Sequence, residues 1–296
     1  MKAVALRAHA KVNLTLDVLG RRPDGYHELR SVIARISLAD DVRVARSRRW
    51  RAIVRPPLAA PTEGELAQRA ARELARRLGR EDGAWLVVRK RIPVAAGLGG
   101  GSSDAAAALR GLARLWGVEG EEALRAAALT VGSDVPFFLD GSLAEIRGRG
   151  EDVRALAGGP WDGVLVLPRC RIASAEAFAR LRPTAWTDGS RTARLVDALE
   201  RGAVDAERLR SLCANAFVDV AEELCPEIAA ARDDAEAPLY LSGSGPSLFA
   251  VADDRGHALA VRRRLRRKGW RAIPIVIAPP ADALVMRASG RAGGAC

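Results

Sequence analysis

The sequence predicts an α+β protein built in two halves, and three observations support this fold class. Near the N-terminus, apolar and polar side chains alternate as in half-buried strands, whereas later segments repeat apolar residues at helical spacing. Two glycine-rich loops, one in each half, lie between such segments. The segment Gly158-Gly159-Pro160 is the best candidate boundary. We therefore expect domains at 1–157 and 160–285 and a disordered tail at 286–296.

The first half contains most of the predicted strands. Gly20 to Gly25 is expected to form a turn between two of them, and Gly79 is expected to close a long amphipathic helix. After Pro136 the pattern changes to short strands that continue to about residue 155. The other predicted strands are 4–9, 12–19, 30–37, 41–46, 51–55 and 84–92, and the predicted helices are 63–79, 103–116 and 120–130.

The second half alternates single strands with helices. Its glycine loop lies between two apolar runs, and a strongly basic helix follows. The predicted strands are 163–167, 238–242, 247–252 and 271–277, and the predicted helices are 174–181, 191–200, 205–213, 218–234 and 255–268.

Composition excludes several classes of protein. With 296 residues, 49% of them hydrophobic, the chain is long enough to bury a core in each half and is not a disordered sequence. It has no apolar run of about 18 residues and no signal-peptide pattern, so we expect a cytoplasmic protein without a membrane span. The four cysteines, at 170, 213, 225 and 296, show no paired spacing, which favours buried thiols over a disulfide framework or a metal site.

The formal net charge is +11, a value often associated with nucleic-acid binding. Here the arginines are spread along the chain, and the densest clusters lack interleaved aromatic residues. We therefore expect no specific nucleic-acid partner. A basic field also suits a small anionic substrate.

Side chains that are rare in this chain concentrate near its N-terminus. Lysine, asparagine, tyrosine and histidine together supply eleven residues, and five of them fall between residues 9 and 27. These five are His9, Lys11, Asn13, Tyr26 and His27. An ammonium and an amide cannot be replaced by a guanidinium in a specific polar contact, so the cluster indicates a recognition surface.

The first glycine loop is the strongest local signal. Its residues are Pro93, Val94, Ala95, Ala96, Gly97, Leu98, Gly99, Gly100, Gly101, Ser102 and Ser103. The glycines permit positive φ and a close approach to a ligand, and the two serines are expected to cap the following Ala-rich helix. A helix N-terminus behind such a loop is a phosphate-binding arrangement. It is neither a Walker P-loop nor a dinucleotide-binding fingerprint.

Two further segments are candidates for catalysis and binding. Asp134 lies in an irregular turn after two predicted helices, where a carboxylate can accept a hydroxyl proton. Lys11 would keep that carboxylate ionised. Taken alone, Asp134 also fits a structural turn residue and Lys11 a solvated strand lysine. The second glycine loop, Gly243, Ser244 and Gly245, is by itself equally a hairpin connection.

Together the Lys11 strand and the two glycine loops resemble the GHMP kinase superfamily. The run Ala10 to Leu14, followed by Asp24-Gly-Tyr-His27, resembles its branch acting on 4-diphosphocytidyl-2-C-methyl-D-erythritol, in the non-mevalonate isoprenoid precursor pathway. The resemblance implies a ribosomal S5 domain 2-like N-terminal half and a ferredoxin-like C-terminal half. It also implies ATP-dependent phosphorylation of the 2-hydroxyl of that cytidine diphosphate substrate.

The same resemblance implies roles for individual residues. Lys11 and Asp134 match the catalytic pair, with Asp134 as base, and Pro93 to Ser103 match the ATP-binding loop. Positions that hold the substrate are matched by Asn13, Tyr26, His27 and Ser174, and the third motif of the family is matched by Gly243, Ser244 and Gly245.

The chain departs from the family pattern at four sites. At one of them Asn215-Ala216-Phe217 replaces Asn-Asp-Leu, which we interpret as a structural change. Ile33 replaces a phenylalanine beside the cytosine, Glu65 replaces an asparagine near the adenine, and Ala95-Ala96 replaces glycines, which is tolerable if φ is negative there.

Mg²⁺ is expected with ATP, although the sequence shows no dedicated metal ligands. We expect a monomer or a homodimer. Two other functions remain open. The first is another GHMP small-molecule kinase, of the mevalonate or homoserine type, and the second is a non-catalytic nucleotide- or RNA-binding protein.

Overall fold

The computed structural model of the protein describes residues 2–56, 62–202 and 204–280. Within these ranges the chain forms helices packed on one extended sheet, so the predicted α+β class is confirmed. The predicted tail at 286–296, and the last residues of the predicted second domain, lie outside the described residues. No helix in the described ranges has the length and apolar character needed to cross a membrane.

The first half begins with two very long strands and continues with helices on one face of the sheet. Its elements are β1 (Ala3–Arg21), β2 (His27–Ser47), β3 (Arg51–Arg55), α1 (Thr62–Arg77), β4 (Gly83–Arg89), α2 (Gly100–Trp116), α3 (Glu122–Val131), α4 (Phe137–Asp140), β5 (Leu143–Gly148) and β6 (Asp152–Ala155).

The second half contains shorter elements. They are β7 (Trp161–Leu167), α5 (Ser174–Arg180), α6 (Ser190–Arg201), α7 (Ala206–Leu212), β8 (Ala214–Asn215), α8 (Val218–Leu224), α9 (Glu227–Ala235), β9 (Tyr240–Leu241), β10 (Leu248–Val251), α10 (Arg255–Arg267) and β11 (Arg271–Ile277). The sequence predicts one helix over 218–234, but Pro226 separates α8 from α9 because a proline lacks the N–H group that a helix interior requires.

The hairpin of β1 and β2 replaces the four strands predicted over 4–46. The two strands pair antiparallel along their whole length, with register shifts between His9 and Lys11, Asn13 and Thr15, and Val18 and Gly20. Each shift disturbs the alternation of side chains without breaking the pairing, so the sequence reads as separate strands. Such irregularities redirect side chains, and two of these shifts flank the segment that carries Lys11 and Asn13.

β2 joins the two halves of the molecule. It pairs with β1, β4 and β5 in the first half, and its Ile36 pairs with Ile277 of β11. From β11 the sheet continues through β7 and β10 to β9. The strand order therefore passes from one half into the other without a gap.

The buried apolar residues form three clusters. One packs α1, α2 and α3 against the first-half sheet, and another packs α8, α9 and α10 against β7 and β10. The third combines Val12 and Leu14 of β1 with Leu195 of α6, Phe249 of β10 and Ile277 of β11. This third cluster takes side chains from both halves. It therefore fixes their relative position where β1 passes between them.

A disulfide bond corrects the expectation of four unpaired thiols. Cys170, in the loop after β7, is bonded to Cys225, which follows α8, and the two residues are 55 positions apart. Cys213 is a free cysteine, and burial raises its pKa. Sequence spacing did not reveal the bond because the two elements meet only after the second half has folded.

The disulfide should contribute to stability. A cross-link that closes a loop of this length restricts the unfolded chain by about 4 kcal/mol on the chain-entropy estimate. We therefore expect the Cys170→Ser/Cys225→Ser variant to lose about 2–4 kcal/mol of unfolding free energy in urea titrations. Cys213→Ser is the control and should unfold near the wild-type midpoint. Finding four reactive thiols in the denatured, unreduced protein would contradict the bond.

Candidate active site

A cavity of about 380 Å³ brings most of the candidate residues together. β1, the first glycine loop, the turn after α3, the second glycine loop and the start of α5 each supply part of its wall. The candidate residues that line it are Lys11, Asn13, Pro93, Ala95, Ala96, Gly97, Leu98, Gly99, Gly100, Gly101, Ser102, Asp134, Ser174, Gly243 and Ser244. Segments more than two hundred residues apart therefore share one small volume.

Lys11 is buried at the base of this cavity. Its backbone N–H donates to the carbonyl of Leu98 at 2.9 Å, which fastens β1 to the glycine loop. Its Nζ donates to Oδ1 of Asn13 at 2.6 Å. Burial lowers the pKa of Lys11, while the nearby negative charge of Asp134 acts in the opposite direction. The lysine and the aspartate are thus electrostatic partners across the cavity.

A buried chain of hydrogen bonds fixes the amide of Asn13. Its Nδ2 donates to Oγ of Ser31 on β2 at 2.9 Å, and the Ser31 hydroxyl donates to the carbonyl of Thr15. Because Nδ2 is committed to Ser31, Oδ1 is the atom that faces the ammonium of Lys11. The adjoining strands β1 and β2 therefore orient the lysine.

Helix α2 begins inside the glycine loop, earlier than the sequence predicts. Gly99 is its N-cap, with φ of +67°, and no side chain caps the helix. The expectation that Ser102 and Ser103 cap it is wrong, because both already lie within the first helical turn. Ser102 lines the cavity, whereas Ser103 is buried and does not. The first amide groups of α2 remain available for an anion.

Ala95 has a left-handed backbone conformation with φ of +53°. The condition under which this replacement of a glycine is tolerable, a negative φ, is therefore not met at Ala95. A residue with a Cβ atom in this region costs about 1 kcal/mol or more. Ala95 itself is exposed, whereas the next residue, Ala96, is buried.

The two glycine loops touch through their backbones. Oγ of Ser242 donates to the carbonyl of Gly97 at 3.0 Å. Asn215 holds the second loop, because its Nδ2 donates to the carbonyls of Leu241 at 2.9 Å and Gly243 at 2.8 Å. The sequence reading of Asn215 as a structural position is consistent with these bonds. The third motif thus forms the wall opposite α2, beside the Lys11 ammonium.

A second buried lysine anchors the start of α2. Nζ of Lys90 lies 2.8 Å from Oδ2 of Asp40 on β2 and 2.9 Å from Oδ2 of Asp104 on α2. Oδ1 of Asp40 also accepts from the backbone N–H of Ile92 at 2.9 Å. These contacts join both ends of the glycine loop to the central strand, so they limit movement of the phosphate-binding backbone.

Asp134 lies in the turn between α3 and α4 and is half-buried. The predicted irregular turn is therefore present. Asp134 is the one carboxylate among the described residues that line the cavity, so a carboxylate cage for a metal is absent there. The only cluster of metal-type ligands found in the described ranges is Cys170, Cys225 and Glu227, at the disulfide.

Tyr26 and His27 lie outside the cavity wall. The His27 ring packs on Phe178 with centroids 5.1 Å apart, and Phe178 packs edge-on against Phe217 at 4.8 Å. Phe178 and Phe217 both line the cavity, so they connect His27 to it. Tyr26 is 55% exposed, and the guanidinium of Arg149 lies 4.8 Å from its ring centroid.

Phe178, which packs on His27, and Phe217, which packs on Phe178, are not among the site residues predicted from the sequence. Ile33, expected beside the cytosine, is buried in the first-half core instead. Phe178 and Phe217 are two of only five phenylalanines in the chain, a scarcity that could have marked them. Each also fits the buried face of a short helix, and the sequence alone does not distinguish such a core residue from a residue of the site.

Several known proteins are similar to this chain in sequence and in fold. The GHMP kinases N terminal domain family matches residues 65–142, and the GHMP kinases C terminal family matches residues 195–271. A relative from Symbiobacterium thermophilum, named 4-diphosphocytidyl-2-C-methyl-D-erythritol kinase, is 42% identical, with 90% of this chain and 97% of the relative covered. A relative of the same name from Dehalococcoides mccartyi is 38% identical, with 94% and 100% covered. The chain belongs to the 4-diphosphocytidyl-2-C-methyl-D-erythritol kinase family.

Solved structures agree with membership of this kinase family. A crystal structure of 4-(cytidine 5'-diphospho)-2C-methyl-D-erythritol kinase matches with a TM-score of 0.77 and 35% identity, over 93% of this chain and 99% of that one. Homoserine kinase from Cytophaga hutchinsonii matches with a TM-score of 0.73 at 18% identity, over 94% and 96% of the two chains. The second match shows the shared fold alone. The predicted two-domain GHMP kinase fold is confirmed, while the roles of individual site residues stay predictions.

Gly97 provides a test of the contact between the loops. Its φ is +73°, and a Cβ atom there would lie 2.2 Å from the carbonyl oxygen of Ser242. Because the atom that this Cβ would meet belongs to a backbone, one loop has to shift. Gly97→Ala should therefore separate the loops and raise the KM for ATP at least tenfold in steady-state assays. Gly120→Ala is a matched control, because Gly120 also has positive φ but has open space around it. An unchanged KM in Gly97→Ala would contradict the proposed contact.

Proposed function

We propose that this chain transfers the γ-phosphoryl group of ATP to the 2-hydroxyl of 4-diphosphocytidyl-2-C-methyl-D-erythritol. The observation that carries the proposal is the meeting of Lys11, Asp134 and the N-terminus of α2 in one cavity of a chain from this kinase family. Phosphoryl transfer requires a phosphate cradle, a means of activating the acceptor and positive charge near the transferred group. The cavity supplies a candidate for each of these.

The cradle for the ATP phosphates is the first glycine loop with the first turn of α2. Gly99 and Gly97 have positive φ, which leaves backbone groups uncovered by side chains. The free amide groups and the dipole of a 17-residue helix favour negative charge at that point. Ala95 and Ala96 complete the entrance of the loop, and Ser244 lies on the facing wall.

Asp134 is the proposed base. It accepts the proton of the 2-hydroxyl while that oxygen forms a bond to the γ-phosphorus and the bond from phosphorus to the ADP oxygen breaks. The ammonium of Lys11 interacts electrostatically with Asp134 and stabilises the charge that develops on the attacking oxygen. Because Asn13 already holds Lys11 in position, this arrangement exists before the substrates bind.

Mg²⁺ would neutralise charge on the ATP phosphates when bound. The donor set of the cavity suits an ion held mostly by the nucleotide, because only one carboxylate, Asp134, is present in the described wall. The Ser102 hydroxyl, at the first turn of α2, is the residue best placed to add a ligand.

Recognition of the cytidine diphosphate substrate is assigned to Asn13, Tyr26, His27 and Ser174. Burial, with the positive charge of Arg21, lowers the pKa of His27, which favours the neutral imidazole. A neutral imidazole offers one donor and one acceptor, as a cytosine edge requires. Phe178 supports that ring from below, and the Ser174 hydroxyl bonds to that of Ser244 at 3.2 Å.

The choice of substrate tests the proposal directly. In an ADP-release assay with Mg-ATP, we expect turnover with the cytidyl-methylerythritol compound and none with mevalonate or homoserine. Turnover with either of those alcohols would favour another GHMP kinase and remove the role given to Tyr26 and His27. Absence of turnover with all three, together with salt-sensitive binding of polynucleotides, would favour a binding protein.

Asp134→Asn tests the base. The amide keeps the shape of the side chain but does not accept the proton, so kcat should fall by about 10²–10⁴ while the Kd for ATP changes little. Asp152→Asn is the control, since Asp152 is exposed and lies outside the cavity wall. Wild-type kcat in Asp134→Asn would exclude this residue as the base, whatever substrate the enzyme uses.

A further inference from the structure

A second, larger cavity lies behind the first glycine loop. Its volume is about 1120 Å³. β7 with the loop after it, α10 and β11 supply one side of its wall, and the segment from Lys90 to Val94, with Ala96, supplies another. It shares Pro93 and Ala96 with the smaller cavity, but Lys11, Asp134 and the N-terminus of α2 do not line it. The proposed phosphoryl-transfer site and this cavity are therefore neighbours on opposite sides of the loop.

Positive charge dominates this second cavity. Arg169, Arg171, Arg262, Arg266, Lys268 and Arg271 all line it. Among residues 2–56, 62–202 and 204–280, the side chains of Arg171, Arg262, Arg266 and Arg271 have no ion pair. Glu227 is the one carboxylate in the described wall, and it accepts a hydrogen bond from the backbone N–H of Arg169 at 2.6 Å. Like charges around one volume repel each other unless an anion lies between them.

A buried, unsatisfied hydroxyl is a second and independent feature of this cavity. Ser247 lines it and is fully buried, and its Oγ has no hydrogen-bond partner in the described part of the chain. Nε of Arg262 is likewise buried without a partner. Buried polar groups almost always have partners, because an unmade hydrogen bond is costly. Both atoms have almost no accessible surface, so they mark polar, unsatisfied positions in the wall and are not contact points for a ligand.

We propose that this cavity binds a small anion carrying several phosphate groups, at a site separate from that of phosphoryl transfer. A volume near 1000 Å³ is typical of small-molecule sites. Trp270 is the only aromatic residue in its described wall, so there is no platform on which successive bases of a nucleic acid strand would stack. The arginines suit phosphate oxygens, which they bind in pairs.

The experiment is calorimetric titration of inorganic tripolyphosphate into the full-length protein, repeated with the transfer site saturated by a non-hydrolysable Mg-ATP analogue and excess Mg²⁺. With the analogue present we expect one molecule of tripolyphosphate to bind, and orthophosphate to bind at least tenfold more weakly. Failure of tripolyphosphate to bind would overturn the proposal. Loss of binding in the presence of the analogue would assign the anion to the nucleotide site instead.

Two pairs of arginines on α10 give matched variants. Arg262 and Arg266 are one helical turn apart and line the cavity, whereas Arg263 and Arg267 do not. Arg262→Ala/Arg266→Ala should weaken tripolyphosphate binding at least tenfold, and Arg263→Ala/Arg267→Ala, with the same change in net charge, less than threefold. Equal losses in the two double variants would mean attraction by the general field of the protein and would overturn the proposal.

Discussion

The burial of the Lys11 ammonium is the constraint on which the rest of the site depends. Moving such a charge out of water costs several kcal/mol, so it is tolerated only where acceptors and an opposite charge are close. Asn13 supplies the acceptor and Asp134 the charge. The Asn13 amide is in turn fixed by Ser31, so a single buried cation accounts for a run of polar residues inside an otherwise apolar strand pair.

The site also depends on where β1 lies in the fold. β1 pairs with β2 along its length, contacts the first glycine loop through Lys11, and pairs with β8 at Thr15 and Leu16. β8 carries Asn215, which holds the second glycine loop. One strand therefore fixes the relation between loops from both halves, and the shared core behind it resists their separation.

Local patterns in the sequence predicted most helices, most strands of the second half and the loop residues that line the cavity. They missed the break at Pro226, the two-residue strand β8 and the short helix α4, which lies where strands were predicted. The remaining features depend on contacts between distant segments. Register shifts divided one long hairpin into four predicted strands, and Ala95 takes a left-handed conformation that its residue type does not predict. Cys170 and Cys225 meet only in the folded chain. Phe178 fits the spacing of apolar residues along a helix. Its position beside His27 depends on packing between elements, which the sequence of its own segment does not reveal.

The distribution of the two basic side chains supports this account. Only four of the 47 basic residues are lysines, yet two of them, Lys11 and Lys90, are the buried cations at the glycine loop. A guanidinium carries five donors in a rigid plane, and an enclosed space with two or three acceptors would leave some of them unpaired. An ammonium needs fewer partners and fits against Gly99 and Gly243. Arginine is found where there is enough space and solvent around the side chain, as around the larger cavity. The available space at each position therefore explains which basic residue is present there.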